Sequence, residues 1–150
     1  MHDVDALRGL LERVRAAAGP DRLTDAHLVC HLLAPSESFV TVAPITKEIR
    51  VCVGRGSFTG ADLVWADWRG RHFVTRDIDA AVALAEAVLP GASIEVTIGA
   101  PKEARRISTA FIRRGDHDLG ECWEAATGPL ALCAALCSAL IAQVDGGQHV

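Results

Sequence analysis

Tyrosine is absent from the 150 residues, and aromatics amount to only 5%, with alanine and leucine filling their place. The core this predicts is aliphatic and closely packed. No Cys-x-x-Cys pair occurs among Cys30, Cys52, Cys122, Cys133 and Cys137. An odd number of thiols among apolar neighbours excludes a disulfide framework and a cysteine zinc site. It predicts reduced cysteines that pack as small hydrophobes. Basic residues are not in excess: the net charge of −4 excludes a general affinity for nucleic-acid backbone. No apolar run follows Met1-His2-Asp3-Val4-Asp5, so no leader peptide and a cytoplasmic location are expected.

Charge disappears for long enough to cross a bilayer only between Ala125 and Val144. Thr127, Gly128, Pro129, Ser138 and Gln143 interrupt that run, and no Lys or Arg anchors its ends. A helix buried on all sides is predicted instead, with no membrane partner. Hydrophobic residues at 50% and charged residues at 23% are globular proportions. A chain of this length folds without a disulfide or metal staple. A single domain over 1–150 is expected, and no cofactor.

Apolar periodicity predicts a first helix from Val4 to Ala18, capped by Asp3 or Asp5, with Leu7, Leu11 and Val14 on its inner stripe. Arg8 faces Glu12 on its outer side. Gly19-Pro20 stops it, and a second helix runs from Thr24, as cap, to Leu33. Strand patterns follow at Phe39–Val42, Glu48–Val53, Asp62–Trp68 and His72–Thr75. Asp77 caps a third helix ending at Pro90-Gly91, and Ser93–Ile98 is a strand. Arg106–Arg113 and Glu121–Ala125 form a hairpin about Gly115-Asp116-His117-Asp118. A last helix, Gly128–Gln143 with Thr127 as cap, carries Ala131, Ala135 and Ala139 on one line and Ala134, Ser138 and Ala142 on the next. Small residues so spaced fit a central core helix or a homodimer interface. The fold class predicted is α+β. It is a layered helix/sheet sandwich with a mostly antiparallel sheet, an N-terminal helix pair, a middle helix and a buried C-terminal helix.

Chemistry-bearing residues fall in few places. Trp65, Trp68, Arg69, Arg71 and His72 crowd one short stretch, where aromatic faces beside guanidinium groups suit a stacked base or an interface hot spot. Alternation puts Arg106 and Arg114 on one face of their strand, as an anion-binding edge or as charges that block edge pairing. His27 and His31, four apart on a helix, have metal-ligand spacing; the sequence does not place a third ligand, for which Asp116, His117 and Asp118 are the candidates. Solvent-facing imidazoles and a solvated turn explain the same residues without a metal. Gly54 to Gly60 has the look of a phosphate cradle, but a strand pattern follows it where a helix is required.

Three stretches resemble the phage ABA-sandwich domain family. They are Ala17-Ala18-Gly19-Pro20-Asp21-Arg22 with the helix to Leu33, Phe73-Val74-Thr75-Arg76-Asp77 with the Ala-rich run to Leu84, and Gly120-Glu121 through Glu124-Ala125-Ala126-Thr127-Gly128-Pro129-Leu130 to Leu136. The chain departs from the family between Ser36 and Arg71, where residues 36–71 read as a strand-rich insertion, and at Gly128, which intervenes before Pro129. The resemblance implies a helix–sheet–helix sandwich encoded by a phage or prophage and acting in an infected bacterial host. It carries no catalytic residues across. With no Ser-His-Asp or Cys-His arrangement in neighbouring sequence, the first expectation is a non-catalytic accessory protein that binds a host or defence-system protein. The alternatives are a protein that sequesters a small nucleotide signal and a metal-dependent hydrolase.

Overall fold

A computed structural model describes residues 3–33, 39–42, 44–45, 47, 49–52, 74–102 and 105–147. Asp3 takes an extended conformation and its carboxylate accepts the Asp5 amide at 2.9 Å, opening α1 (Val4–Ala16). Ala17 is already extended, so the helix ends ahead of Gly19-Pro20. Leu7, Leu10 and Val14 form its buried face. Arg8 pairs with Asp5 and Glu12 with Arg15, both at i, i+3, rather than with each other. These exposed pairs add little to stability.

Helix α2 (Arg22–Leu32) begins at Asp21 and not at Thr24. The Asp21 carboxylate accepts the Thr24 amide at 3.3 Å and also the Thr24 hydroxyl, so the residue three positions earlier is the cap. Strands β1 (Phe39–Val42) and β2 (Ile49–Cys52) pair antiparallel as a separate ribbon. Val40 and Ile49 rest it on Ala26 and Cys30 of α2. Helix α3 (Ile78–Val88) starts at Asp77, but Arg76 grips that carboxylate with two 3.2 Å bonds, so it makes no capping bond to the helix. Val74 and Thr75 form a turn, where a strand was expected. The Asp62–Trp68 pattern and the Gly54–Gly60 loop lie outside the described residues.

Strands β3 (Ser93–Lys102), β4 (Arg105–Arg114) and β5 (His117–Ala125) make an antiparallel sheet in that order. The β4–β5 turn is tighter than expected. Arg114 pairs with His117 across Gly115-Asp116 alone, with Gly115 at φ +62° in the left-handed region that its missing Cβ allows. Helix α4 (Gly128–Gly147) follows, its first turn helped by the Thr127 hydroxyl accepting the Leu130 amide at 3.4 Å.

The fold is thus α+β and layered, as the periodicities imply. Among the described elements the middle layer is α4, which touches all three strands as well as α1 and α3. Every residue from Leu130 to Leu140 is buried. By length and hydropathy α4 resembles a membrane span, but most of it is covered by the rest of the chain, as in a core helix. Fully buried leucines such as Leu7, Leu84, Leu132 and Leu136 each contribute about 2 kcal/mol. The small-residue lines of α4 serve close approach inside one chain. Gly120 of β5 lies so near the helix that a Cβ there would meet Ser138 Oγ at 2.7 Å and the Ala139 amide nitrogen at 2.8 Å. Ser138 Oγ accepts the Glu121 amide at 3.1 Å, closing the contact.

Candidate functional site

The Trp/Arg stretch expected to bind (Trp65, Trp68, Arg69, Arg71 and His72) lies outside the described residues, as does the Arg106 side chain. Arg114 is exposed at the hairpin, where its guanidinium reaches the Pro90 carbonyl at 3.5 Å, a long contact that ties it to the end of α3. Asp116, His117 and Asp118 are exposed, and Asp118 accepts from Arg113 at 2.9 Å. The hydrolase site drawn from them with His27 and His31 is not assembled. Among the described residues no three His, Cys, Asp or Glu side chains converge as a metal requires.

His27 and His31 do meet. Their rings stack at 5.9 Å between centroids and 7° from parallel. They line a cavity of about 260 Å³ with Ala6, Gly9, Leu10 and Arg13 of α1. Burial holds both imidazoles below the ordinary histidine range, and the Arg13 guanidinium pushes both further down. His27 is also lowered by His31, while Asp21 and Asp3 act in the opposite direction on His27 and His31 respectively. Sequence reasoning found the histidine pair and missed Arg13. The available signal was the helix period: positions 6, 9, 10 and 13 share one face of α1, and an αα-hairpin turns one such face toward α2.

A second polar cluster has no sequence signature at all. Asp25, 1% exposed, accepts the Thr75 amide at 2.7 Å and the Thr75 hydroxyl at 2.8 Å on one oxygen, and Arg22 at 3.1 Å on the other. The Asp21 amide donates to the same Thr75 hydroxyl at 2.9 Å. Desolvation raises the Asp25 carboxyl above the usual carboxylate range, against the pull of Thr75 and Arg22. Thr24 and Thr75 are closed to solvent: the Thr75 hydroxyl on Asp25 ties α2 to the segment before α3, the Thr24 hydroxyl on Asp21 closes the α2 cap, and neither can meet a substrate.

The thiols divide in two. Burial pushes Cys137 up to about 12 and raises Cys133 as well, so both stay protonated and inert. Cys122, expected to pack as a hydrophobe, is exposed on β5, where the strand alternation turns it outward.

The ribbon offers a different surface. Phe39, Val42 and Ile45 are 50%, 45% and 93% exposed, and they are three of the four exposed large apolar side chains among the described residues. Among the described residues its apolar seat on α2 is Val40 and Ile49 against Ala26 and Cys30. Comparison of the chain with protein-family models, with curated proteins and with solved structures finds no match.

Proposed function

We propose that the protein is a non-catalytic binding protein that captures another protein, a bacterial host or defence component, in the phage or prophage setting implied by the three resembling stretches. The observation that carries this reading is the exposure of three large apolar side chains close in the chain, Phe39 and Val42 at the two ends of β1 and Ile45 in the turn that follows. Exposed large apolar side chains along one strand and its following turn suit an edge that a partner wraps. A two-stranded ribbon on so small a seat is marginal alone and gains order when covered. The engaged state of Asp25, Thr75, Cys133 and Cys137 adds support, since groups that could act on a substrate are spent inside the fold.

The test pairs wild type with a Phe39→Asp, Ile45→Asp double variant. A partner enriched from bacterial lysate is identified, purified and titrated against both. The variant should melt close to wild type and bind at least about tenfold more weakly, as loss of an apolar anchor does. Equal affinity for both, or an effect confined to self-association in sedimentation, overturns the reading.

A further inference from the structure

The α1–α2 cleft has a chemistry that protein capture leaves unused. Arg13 and the His27–His31 pair face one cavity from two helices. Arg13 also borders a second hollow of about 400 Å³ formed with Ala16–Asp21, so one residue lines both spaces. We infer that the Arg13–His27–His31 cavity binds a small oxyanion, phosphate by its charge and size, either free or as the phosphate of a phosphomonoester.

Donor chemistry comes first. A guanidinium carries five N–H groups in a planar fork, and each imidazole adds at least one more, so the lining is rich in donors for tetrahedral oxygens. Size comes second. At about 260 Å³ the cavity lies below the range that encloses a drug-sized ligand, but it accommodates a phosphate group. The remainder of a phosphomonoester has room in the hollow on the other side of Arg13.

Charge decides against the other ligand that two histidines suggest. A divalent cation would be placed beside the Arg13 guanidinium, and no third His, Cys, Asp or Glu converges there. An anion is drawn instead to Arg13, the charged side chain that lines the cavity, against the opposing carboxylates of Asp3 and Asp21 nearby. It also offsets what keeps the imidazoles neutral, so binding takes up protons and tightens as pH falls. The charged groups facing the pair are Arg13 and Asp3 from α1 and Asp21 at the cap of α2. Of the ribbon, which rests on the Ala26–Cys30 side of α2, β1 contributes no ionisable side chain and β2 carries Arg50, whose side chain lies outside the described residues.

Sulfate is the first probe because its charge is constant over the range tested. Binding is read by thermal shift and calorimetry against chloride at matched ionic strength. Wild type should show a saturable shift with sulfate, and its affinity should rise about fivefold or more from about pH 7.5 to about pH 5.5. Arg13→Gln should weaken binding at least about tenfold. Gly9→Leu is the variant that a folding defect cannot confuse. A Cβ at position 9 meets nothing within 4 Å, and replacing a mid-helix glycine stabilises the helix by about 0.5–1 kcal/mol. Its side chain fills the cavity, so its Tm should rise while the sulfate response disappears. Sulfate and chloride giving the same shift, or Gly9→Leu responding as wild type, would overturn the inference. Adenosine monophosphate and inorganic phosphate then separate the two sources. Tenfold tighter binding of the nucleotide identifies a phosphomonoester site, and equal binding identifies a free-anion site.

Discussion

Gly120→Ala is expected to lower the unfolding free energy by about 3 kcal/mol. Two costs combine. The new Cβ would lie 2.7–2.8 Å from Ser138 and from the Ala139 amide nitrogen, and the Ala139 nitrogen belongs to the backbone of the buried helix, which has no rotamer to change. Overpacking of this kind costs about 1–3 kcal/mol. The residue also has φ +72°, where a Cβ adds about 1–2 kcal/mol. Gly115→Ala separates the two costs, because Gly115 shares the positive φ but a Cβ there meets nothing within 4 Å. Urea denaturation should show Gly120→Ala losing at least about twice as much as Gly115→Ala, with similar m values. Equal losses would mean that α4 yields, and that its approach to β5 is not the constraint described.

Removal of the Asp25 carboxylate has a comparable effect through polar chemistry. Asp25→Ala strands the buried Thr75 amide, leaves the Thr75 hydroxyl only the longer bond to the Asp21 carbonyl at 3.2 Å, and takes Arg22 out of its pair. A loss of about 3 kcal/mol is expected, because a stranded buried donor costs about 1–3 kcal/mol. Arg22 adds less, since its side chain is 41% exposed and water replaces the partner. The pH dependence has a definite sign. The folded-state pKa of Asp25 is raised from 3.8, so the native state holds this proton more tightly than the unfolded chain. Its contribution is greatest in acid and declines as pH rises from the ordinary carboxylate range through the raised folded value. Asp25→Asn, which keeps an acceptor for Thr75 and cannot ionise, should lose this decline. Its stability relative to wild type should therefore increase with pH over that interval. A difference between the two that is flat with pH would show that Asp25 does not titrate as described.

Much of the architecture was legible because periodicity is a local property. The stripe through Leu7 and Val14 (its buried member between them is Leu10, with the expected Leu11 only partly buried), the alternation of Ile94 with Val96, and the uncharged run after Thr127 each follow from side chains a few residues apart. Errors arose where two local signals competed. Asp21 and Thr24 are both good caps, and which one acts depends on Asp21 being held by its amide bond to Thr75, 54 residues away. Cys122 has apolar neighbours in sequence, but its register on β5 turns it outward. The candidate site divides in the same manner. The histidine pair is written at i, i+4, whereas the Arg13 charge opposite and the space above Gly9 exist only once α1 lies on α2.

The position of α4 governs the order in which the chain can fold. Helix α1 and the three-stranded sheet bury their apolar faces on the same helix, and that helix is read last among them. During synthesis the Leu7–Leu10–Val14 stripe therefore has at most α2 beside it, and lacks its α4 cover, until residues beyond Gly128 have left the ribosome. Closing a contact across more than a hundred residues is slow, and an exposed aliphatic stripe is a target for chaperones in the interval. The β3–β4–β5 meander pairs among neighbours and can form its hydrogen bonds earlier. Folding should thus proceed from the sheet toward α4 and end with the docking of α1.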